Sequence, residues 1–223
     1  MYPFLIPSNI FASISMTQLS EIFLEKKIDM NYSDKCIKIA NEIDDAINKY
    51  AIKRHLDYGK IFSYEIDGYG NHLYMDDANV PSLMSLPYLD SKFKNNEIYL
   101  NTRKFLLSEN NPYFIIGNSA EGQASPHTGK DKIWPMGIIL RAMTSNSDKE
   151  IVKCIKMLVN THADTGFMHE AFDKNNPKNY FRSWFAWANT LFGELILKVR
   201  DERPHLLQVN YSKIPKPNYK KNN

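Results

Sequence analysis

The stretch Tyr180–Arg200, YFRSWFAWANTLFGELILKVR, repeats apolar side chains at intervals of three and four residues. Because an α-helix turns once in about 3.6 residues, this spacing gathers the apolar side chains on one helix face. The pattern predicts a helix over about 180–200 with an inward face of Phe181, Trp184, Phe185, Ala188, Leu191, Phe192, Leu195, Ile196 and Val199.

Similar periodicity predicts further helices at about 8–27, 33–51, 95–107 and 134–143, and again after Ser147. Ser33 is a candidate N-cap, and Ser147-Asp-Lys-Glu150 has the form of a capping box. The second helix carries one apolar stripe, made of Cys36, Ile39, Ala40, Ile43, Ile47, Tyr50 and Ala51. We therefore expect an all-α domain of antiparallel helix pairs, with loop and short-strand insertions at one end.

Composition excludes several function classes. The 223 residues are 43% hydrophobic, enough for a sizeable core, and the net charge of +3 is too small to indicate nucleic-acid binding. No apolar run is long enough to span a bilayer, and the N-terminus lacks the basic region of a signal peptide. The default expectation is a cytoplasmic protein that binds neither nucleic acid nor membrane.

Two smaller features complete this outline. Cys36 and Cys154 have no metal-like spacing, and two thiols are favoured over a disulfide, which the sequence does not exclude. The basic tail at residues 208–223 contains two prolines and no periodicity, so we expect it to be disordered.

Two segments combine carboxylates, amides, imidazoles and aromatic rings: Tyr64–Pro81 and Gly166–Phe172. That mixture suits a sugar pocket, and glycoside hydrolysis generally uses two carboxylic acids. Glu170 lies in a loop ahead of a predicted helix and is a candidate for one of them. The alternative is that Glu170 caps the loop or forms a salt bridge within it.

The first segment also contains Asp76, Asp77 and Asn79. On an extended backbone Asp77 and Asn79 project to one side and Asp76 to the other. Side chains of this kind could bind hydroxyl groups, and the alternative is an Asx turn before Pro81. His127 lies in a loop ahead of Trp134 and is either exposed or functional.

The spacings do not favour a metal site. The paired aspartates lack a third oxygen ligand at a recognisable distance, and His162 and His169 are seven residues apart rather than four. Phosphate-loop, nucleophile-elbow and Cys–His signatures are also missing. We expect neither a metal nor a cofactor.

Several of these segments together resemble glycoside hydrolase family 125, the exo-α-1,6-mannosidases. The resemblance keeps order and spacing through YPFLIPSNIFA (2–12), the DGYGN and MDDANVPSL run (64–89), NTRKFL (101–106), 125–135, TGFMHEAF (165–172) and WFAWANTLFGELIL (184–197). It implies an (α/α)6 barrel, a toroid of six helical hairpins, of which residues 1–207 form the C-terminal portion.

The resemblance also implies an inverting reaction on a terminal α-mannoside. Carried over by motif, Glu170 is the general base, and Asp76, Asp77, Asn79 and His127 line the substrate site. Members of the family are about twice as long, and the general acid belongs to their N-terminal half. Asp67 lies in a different motif and does not replace that acid.

We therefore expect a truncated mannosidase half, inactive alone, whose partners are a mannose-containing glycan and a separately encoded N-terminal half. One alternative is a catalytically inactive remnant that binds carbohydrate or another protein. Another is a helical-toroid enzyme with different chemistry, such as a lyase or an epimerase.

Overall fold

The computed structural model describes residues 1–211, which fold into two compact units. Unit 1 contains Met1–Asp76 and Val80–Leu106. Unit 2 contains Asp77–Asn79 together with the chain from Leu107 onward. Most of the tail expected to be disordered, 208–223, lies outside the described residues.

Unit 1 is a helical hairpin beside small antiparallel sheets. Its helices are α1 (Ile6–Lys26), α2 (Met30–Ala46), α3 (Leu86–Leu89) and α4 (Glu97–Leu106), with a π-helical turn at Ile47–Ala51 and a 3-10 turn at Ser91–Phe93. Its strands are β1 (Phe4–Leu5), β2 (Ile52–His55), β3 (Gly59–Phe62), β4 (Glu65–Ile66) and β5 (His72–Leu73). They form a sheet of order β1-β4-β5 and a separate β2-β3 hairpin.

Unit 2 places three helices beside two small sheets. Its elements are β6 (Phe114–Ile116), β7 (Glu121–Gln123), β8 (Lys132–Ile133), α5 (Pro135–Met143), α6 (Asp148–Asn160), β9 (Ala171–Asp173), β10 (Tyr180–Phe181), α7 (Ala186–Glu202) and a 3-10 turn at Pro204–Gln208. The strands form a β10-β9-β8 sheet and a β6-β7 hairpin, and α5 packs against both α6 and α7. The mostly helical fold expected from the sequence is confirmed.

The expected hairpin of α1 and α2 is present, but Ser33 does not begin the second helix. Asp29 is the N-cap, and its Oδ1 accepts a hydrogen bond from the Tyr32 amide at 3.1 Å. Ser33 is buried one turn inside α2, where its hydroxyl lies 2.8 Å from that of Ser20. The prediction of Ser33 as the cap was wrong because Asp29 already satisfies the free amides of the first turn.

The last helix begins six residues later than its periodicity predicts. Tyr180 and Phe181 form β10 and pair with Phe172 and Ala171, and Arg182 has a left-handed φ of 52° that separates the strand from the helix. Phe181 is consequently 45% exposed instead of buried. The inward positions within α7 are confirmed for Ala188, Leu191, Leu195 and Val199.

The capping box before α6 is half confirmed. The Ser147 hydroxyl accepts a hydrogen bond from the Glu150 amide at 3.4 Å. The Glu150 carboxylate does not return to Ser147 but accepts from Arg141 Nε at 2.8 Å and from the Ser145 hydroxyl. A charge-assisted hydrogen bond to a guanidinium is stronger than one to a backbone amide, which explains the change of partner.

The two cysteines are buried thiols in different units and form no disulfide, as favoured from the sequence. None of the helices within residues 1–211 combines the length and apolar character that crossing a membrane requires.

Candidate active site

Three of the residues singled out in the sequence form one cluster in unit 2. Asp77 Oδ2 accepts a hydrogen bond from Asn79 Nδ2 at 3.0 Å and lies 4.0 Å from His127 Nε2. The Asp77 side chain is 8% exposed, whereas that of His127 is 69% exposed. The cluster therefore joins a sheltered carboxylate to an imidazole that solutes can reach.

The second oxygen of Asp77 has no partner. Oδ1 is buried and accepts no hydrogen bond from any residue within the described chain. Leaving a buried acceptor unsatisfied costs about 1–3 kcal/mol, and more when the group is charged. Oδ1 therefore retains an acceptor capacity that the described residues do not use.

Asp76 has a different environment. It has no exposed surface, and its two oxygens accept hydrogen bonds from the backbone amides of Leu83 and Met84 at 2.8 and 2.9 Å. These contacts fix the segment ahead of α3 within unit 1. Asp76 was predicted to bind substrate, and these contacts instead describe a residue that orders the backbone. Its part in substrate binding stays a prediction.

The hairpin of β9 and β10 positions Glu170. Because Ala171 pairs with Phe181, the residue before β9 lies opposite the residue after β10. Those two residues are Glu170 and Arg182, and Arg182 Nε donates to Glu170 Oε2 at 2.9 Å. Oε1 forms no hydrogen bond with the described residues, and the side chain is 19% exposed. One oxygen is thus anchored while the other is available.

His169 contacts the backbone turn that carries Arg182. Its Nδ1 lies 3.2 Å from the Arg182 carbonyl oxygen and 3.1 Å from that of Ser183, and its ring stacks on Tyr180 with centroids 3.9 Å apart. Carbonyl oxygens only accept, so the geometry assigns the hydrogen to Nδ1. Nε2 is buried and unpartnered among residues 1–211. The imidazole thereby holds the left-handed turn that carries Arg182.

A continuous series of ring contacts connects Glu170 with the Asp77 cluster. The Arg182 guanidinium lies over the Phe185 ring at 5.8 Å, and Phe185 meets Trp134 edge to face at 6.3 Å. Trp134 in turn lies 6.5 Å from the His127 ring, and its Nε1 donates to Thr128 at 2.7 Å. The predicted residues Asp77, Asn79, His127 and Glu170 therefore belong to one contact network within unit 2.

Exposed aromatic rings adjoin this network along the chain. Phe167 precedes Glu170 by three residues, and Trp184 and Trp187 flank Phe185. Each of the three side chains is more than two fifths exposed. Aromatic faces of this kind can stack on the apolar face of a sugar ring, and the indole N–H can bind a hydroxyl.

Sequence reasoning did not identify Arg182, Phe185 or His169 as members of the site. Their contribution depends on the β9–β10 register, which brings positions twelve or more residues apart into contact. The aromatic run from Tyr180 to Trp187 was the available signal. Within the described part of the chain, no group of three or more His, Cys, Asp or Glu side chains is arranged to hold a metal ion.

Comparisons with known proteins identify the family of this chain. The sequence profile described as "Metal-independent alpha-mannosidase (GH125)" matches residues 1–197. The chain is 41% identical over 210 residues to the Meiotically up-regulated gene 157 protein of Schizosaccharomyces pombe, a match covering 94% of this chain and 41% of that protein.

A solved structure is also similar: a metal-independent alpha mannosidase of Streptococcus pneumoniae in a non-productive substrate complex with alpha-1,6-mannobiose. The TM-score is 0.86 at 38% identity, over 91% of this chain and 48% of that one. This chain therefore spans about half the length of the relatives it matches. The matched profile covers most of the chain, and the chain belongs to glycoside hydrolase family 125, the metal-independent alpha-mannosidases.

Proposed function

We propose that this chain supplies one wall of the active site of an exo-acting α-1,6-mannosidase with an inverting mechanism. The observation that carries the proposal is the contact network from Glu170 through Arg182, Phe185 and Trp134 to His127 and Asp77. It groups an anchored carboxylate, a sheltered hydroxyl acceptor and aromatic surface in a chain of the mannosidase family. The α-1,6 linkage is that of the mannobiose in the S. pneumoniae complex.

In this proposal Glu170 is the general base. Arg182 holds Oε2, and Oε1 takes a proton from a water molecule whose oxygen attacks the anomeric carbon. The bond from that carbon to the glycosidic oxygen breaks, and a general acid protonates the departing oxygen. Inversion requires the two carboxyl groups to stand about 6.5–9.5 Å apart, which leaves room for the water.

The Asp77 cluster would bind the mannose. Oδ1 of Asp77 accepts from a sugar hydroxyl, Asn79 orients the same carboxylate, and the exposed imidazole of His127 contacts a neighbouring hydroxyl. Asp76 supports the segment through its two backbone hydrogen bonds. The cluster thus contributes binding and orientation, and Glu170 contributes the chemistry.

The general acid would come from polypeptide that this chain lacks. The chain covers 48% of the S. pneumoniae mannosidase, and none of its motifs resembles the acid motif of the family. We propose that residues 1–207 are the C-terminal portion of an (α/α)6 catalytic domain. A separately encoded N-terminal half, or a longer form of the same chain, supplies the remaining hairpins and the acid.

The test combines sugar binding with turnover. We expect the purified chain to bind α-1,6-mannobiose, detected by saturation-transfer NMR, and to hydrolyse it at no more than background rate. A missing general acid alone removes about a hundredfold to ten-thousandfold in rate. Fusing the unmatched portion of the S. pneumoniae enzyme ahead of Met1 should produce hydrolysis, with the β-anomer of mannose appearing first by NMR.

Glu170→Gln is the matched variant, because it keeps the shape of the side chain and removes its basicity. In the fusion it should lower kcat by at least a hundredfold and leave the affinity for mannobiose close to wild type. Robust turnover by the unfused chain would contradict the missing acid. Mannobiose binding by a fusion that remains inactive would instead favour the inactive carbohydrate-binding remnant.

A further inference from the structure

The two helices of the α1–α2 hairpin meet through small side chains. Ser13 donates to Asp44 Oδ1 at 2.6 Å, and the Ser20 and Ser33 hydroxyls are 2.8 Å apart. Cys36 and Ala40 fill the rest of the buried α2 face. This contact uses only part of the apolar stripe that the sequence of α2 displays.

Apolar side chains of α2 and of the π-helical turn that follows it form a second stripe that faces a groove. Ile39, Ile43, Ala46 and Tyr50 follow one another at three- and four-residue steps and line a cavity of about 440 Å³. Ile39 and Tyr50 are 45% and 47% exposed. A stripe with helical spacing on an open face is the surface that a further helix would bury.

The opposite wall of the groove comes from the beginning of the chain. Phe4 and Ile6 contribute apolar surface, and Asn9 and Glu42 are polar lining residues in addition to the Tyr50 hydroxyl. None of the candidate active-site residues lines this groove. An occupant that complements it needs apolar side chains at three- and four-residue spacing and a basic side chain opposite Glu42.

The lengths of the relatives indicate which occupant fits. The S. pneumoniae mannosidase matches this chain with a TM-score of 0.86, yet about half of its residues have no counterpart here. The groove is lined by apolar side chains of unit 1, and the unmatched half of that mannosidase is polypeptide that could cover them.

We propose that this groove is the docking site for an amphipathic helix of the missing half of the mannosidase domain. The proposal rests on the proposed function, since it assumes that the chain works together with that half. Ile39 and Ile43 are the central contacts, and Glu42 pairs with a lysine or arginine of the incoming helix. A second copy of this chain is the competing occupant.

The experiment co-expresses this chain with a tagged polypeptide covering the part of the S. pombe relative that it does not match, so that the two parts fold together. We expect a one-to-one complex by affinity capture and light scattering. Ile39→Asp should reduce the captured amount at least tenfold. Ile37→Asp is the control, because Ile37 lies on the same helix at 38% exposure but does not line the groove.

Circular dichroism and Tm of each purified variant show whether it folds like the wild type. Absence of a complex with the wild-type chain, or capture that Ile39→Asp leaves unchanged, would overturn the proposal. A homodimer of the chain that Ile39→Asp dissociates would also overturn it, in favour of the second copy. The docking experiment contains no sugar and does not depend on hydrolysis. A failure of docking and a failure of mannobiose hydrolysis can therefore be distinguished.

Discussion

Asp76 and Asp77 are neighbours in sequence with different surroundings. The sequence predicts that their side chains project in opposite directions on an extended backbone. The Asp76 carboxylate is saturated with backbone amides, whereas one Asp77 oxygen has no hydrogen bond within residues 1–211. The same chemical group therefore orders the backbone at one position and keeps an unused acceptor at the next, where we propose that it binds the sugar.

This contrast predicts opposite outcomes for two matched substitutions. Asp76→Asn offers one acceptor oxygen where two amides need one each, and it should lower the free energy of unfolding by about 2–3 kcal/mol. Asp77→Asn removes a buried and half-unpaired charge and should change stability by less than about 1 kcal/mol. Urea unfolding measures both. Equal destabilisation by the two substitutions would contradict the assignment.

Sugar binding should respond to Asp77→Asn even though folding does not. The amide keeps one acceptor, but it can place its NH2 group where Oδ1 receives the hydroxyl. We expect the affinity for α-1,6-mannobiose to fall about tenfold or more, measured by the same NMR titration as for the wild type. An unchanged affinity would remove Asp77 from the binding site.

The His169 tautomer can be tested without a substitution. Two carbonyl oxygens face Nδ1, so the hydrogen should reside there and Nε2 should be the bare nitrogen. Long-range 15N–1H correlation of the imidazole distinguishes the two forms. A bare Nδ1 with the hydrogen on Nε2 would show that the Arg182 turn is held in another way.

At the scale of elements, periodicity predicted the helices better than their ends. The interior of α7 was correct, but its predicted first turns became β10, since pairing with β9 depends on residues distant in sequence. The stripe of α2 was correct in composition but is divided in the structure between α1 and an open groove. Periodicity identifies apolar positions and does not identify which neighbour covers them.

The candidate site shows the same division. Glu170, Asp76, Asp77, Asn79 and His127 were predicted from their motifs, and Asn79 and His127 both lie next to Asp77. Arg182 could not be assigned to Glu170 from sequence, because their contact requires the register of the β9–β10 hairpin. The sequence indicated which residues have suitable chemistry. The residues that hold them in place depend on tertiary pairing and could not be predicted.

Two glycines give a matched prediction about element packing. A Cβ on Gly117, at the end of β6, would lie 2.3 Å from the Lys174 carbonyl oxygen, whereas a Cβ on Gly193 in α7 meets no atom within 4 Å. Gly117→Ala should lower the free energy of unfolding by about 1–3 kcal/mol through this clash. Gly193→Ala should raise it by about 0.5–1 kcal/mol, because alanine favours the helix. Thermal unfolding followed by circular dichroism measures both signs.

At the scale of the whole molecule, a largely buried ionic cluster links stability to pH. Arg141 donates to both Glu121 and Glu150 at 2.8 Å, and Lys153 also contacts Glu121. Burial acts to raise the pKa of Glu121, but the hydrogen bonds from Lys153 and Arg141 outweigh it and hold the pKa below its ordinary value of 4.5. A carboxyl whose pKa is lower in the folded state stabilises the fold only when it is ionised.

The stability from Glu121 should therefore be complete above its unfolded pKa of about 4.5 and disappear as the pH falls through the lower folded pKa. Arg141→Met leaves two carboxylates without their shared partner and should cost about 3–5 kcal/mol at neutral pH. That deficit should shrink as the pH falls through the lowered pKa of Glu121, because the carboxyl then becomes neutral. Urea unfolding across pH 3–7 tests this, and a deficit independent of pH would contradict the ionic explanation.

The serine contacts between α1 and α2 have a consequence for temperature. Apolar association weakens on cooling, because its driving force near room temperature is entropic, whereas hydroxyl hydrogen bonds do not share that dependence. The hairpin should therefore keep its own geometry at low temperature. A polypeptide bound along Ile39 and Ile43 should dissociate more readily under the same condition. This division of contacts favours an assembly that separates on cooling although each of its parts stays folded.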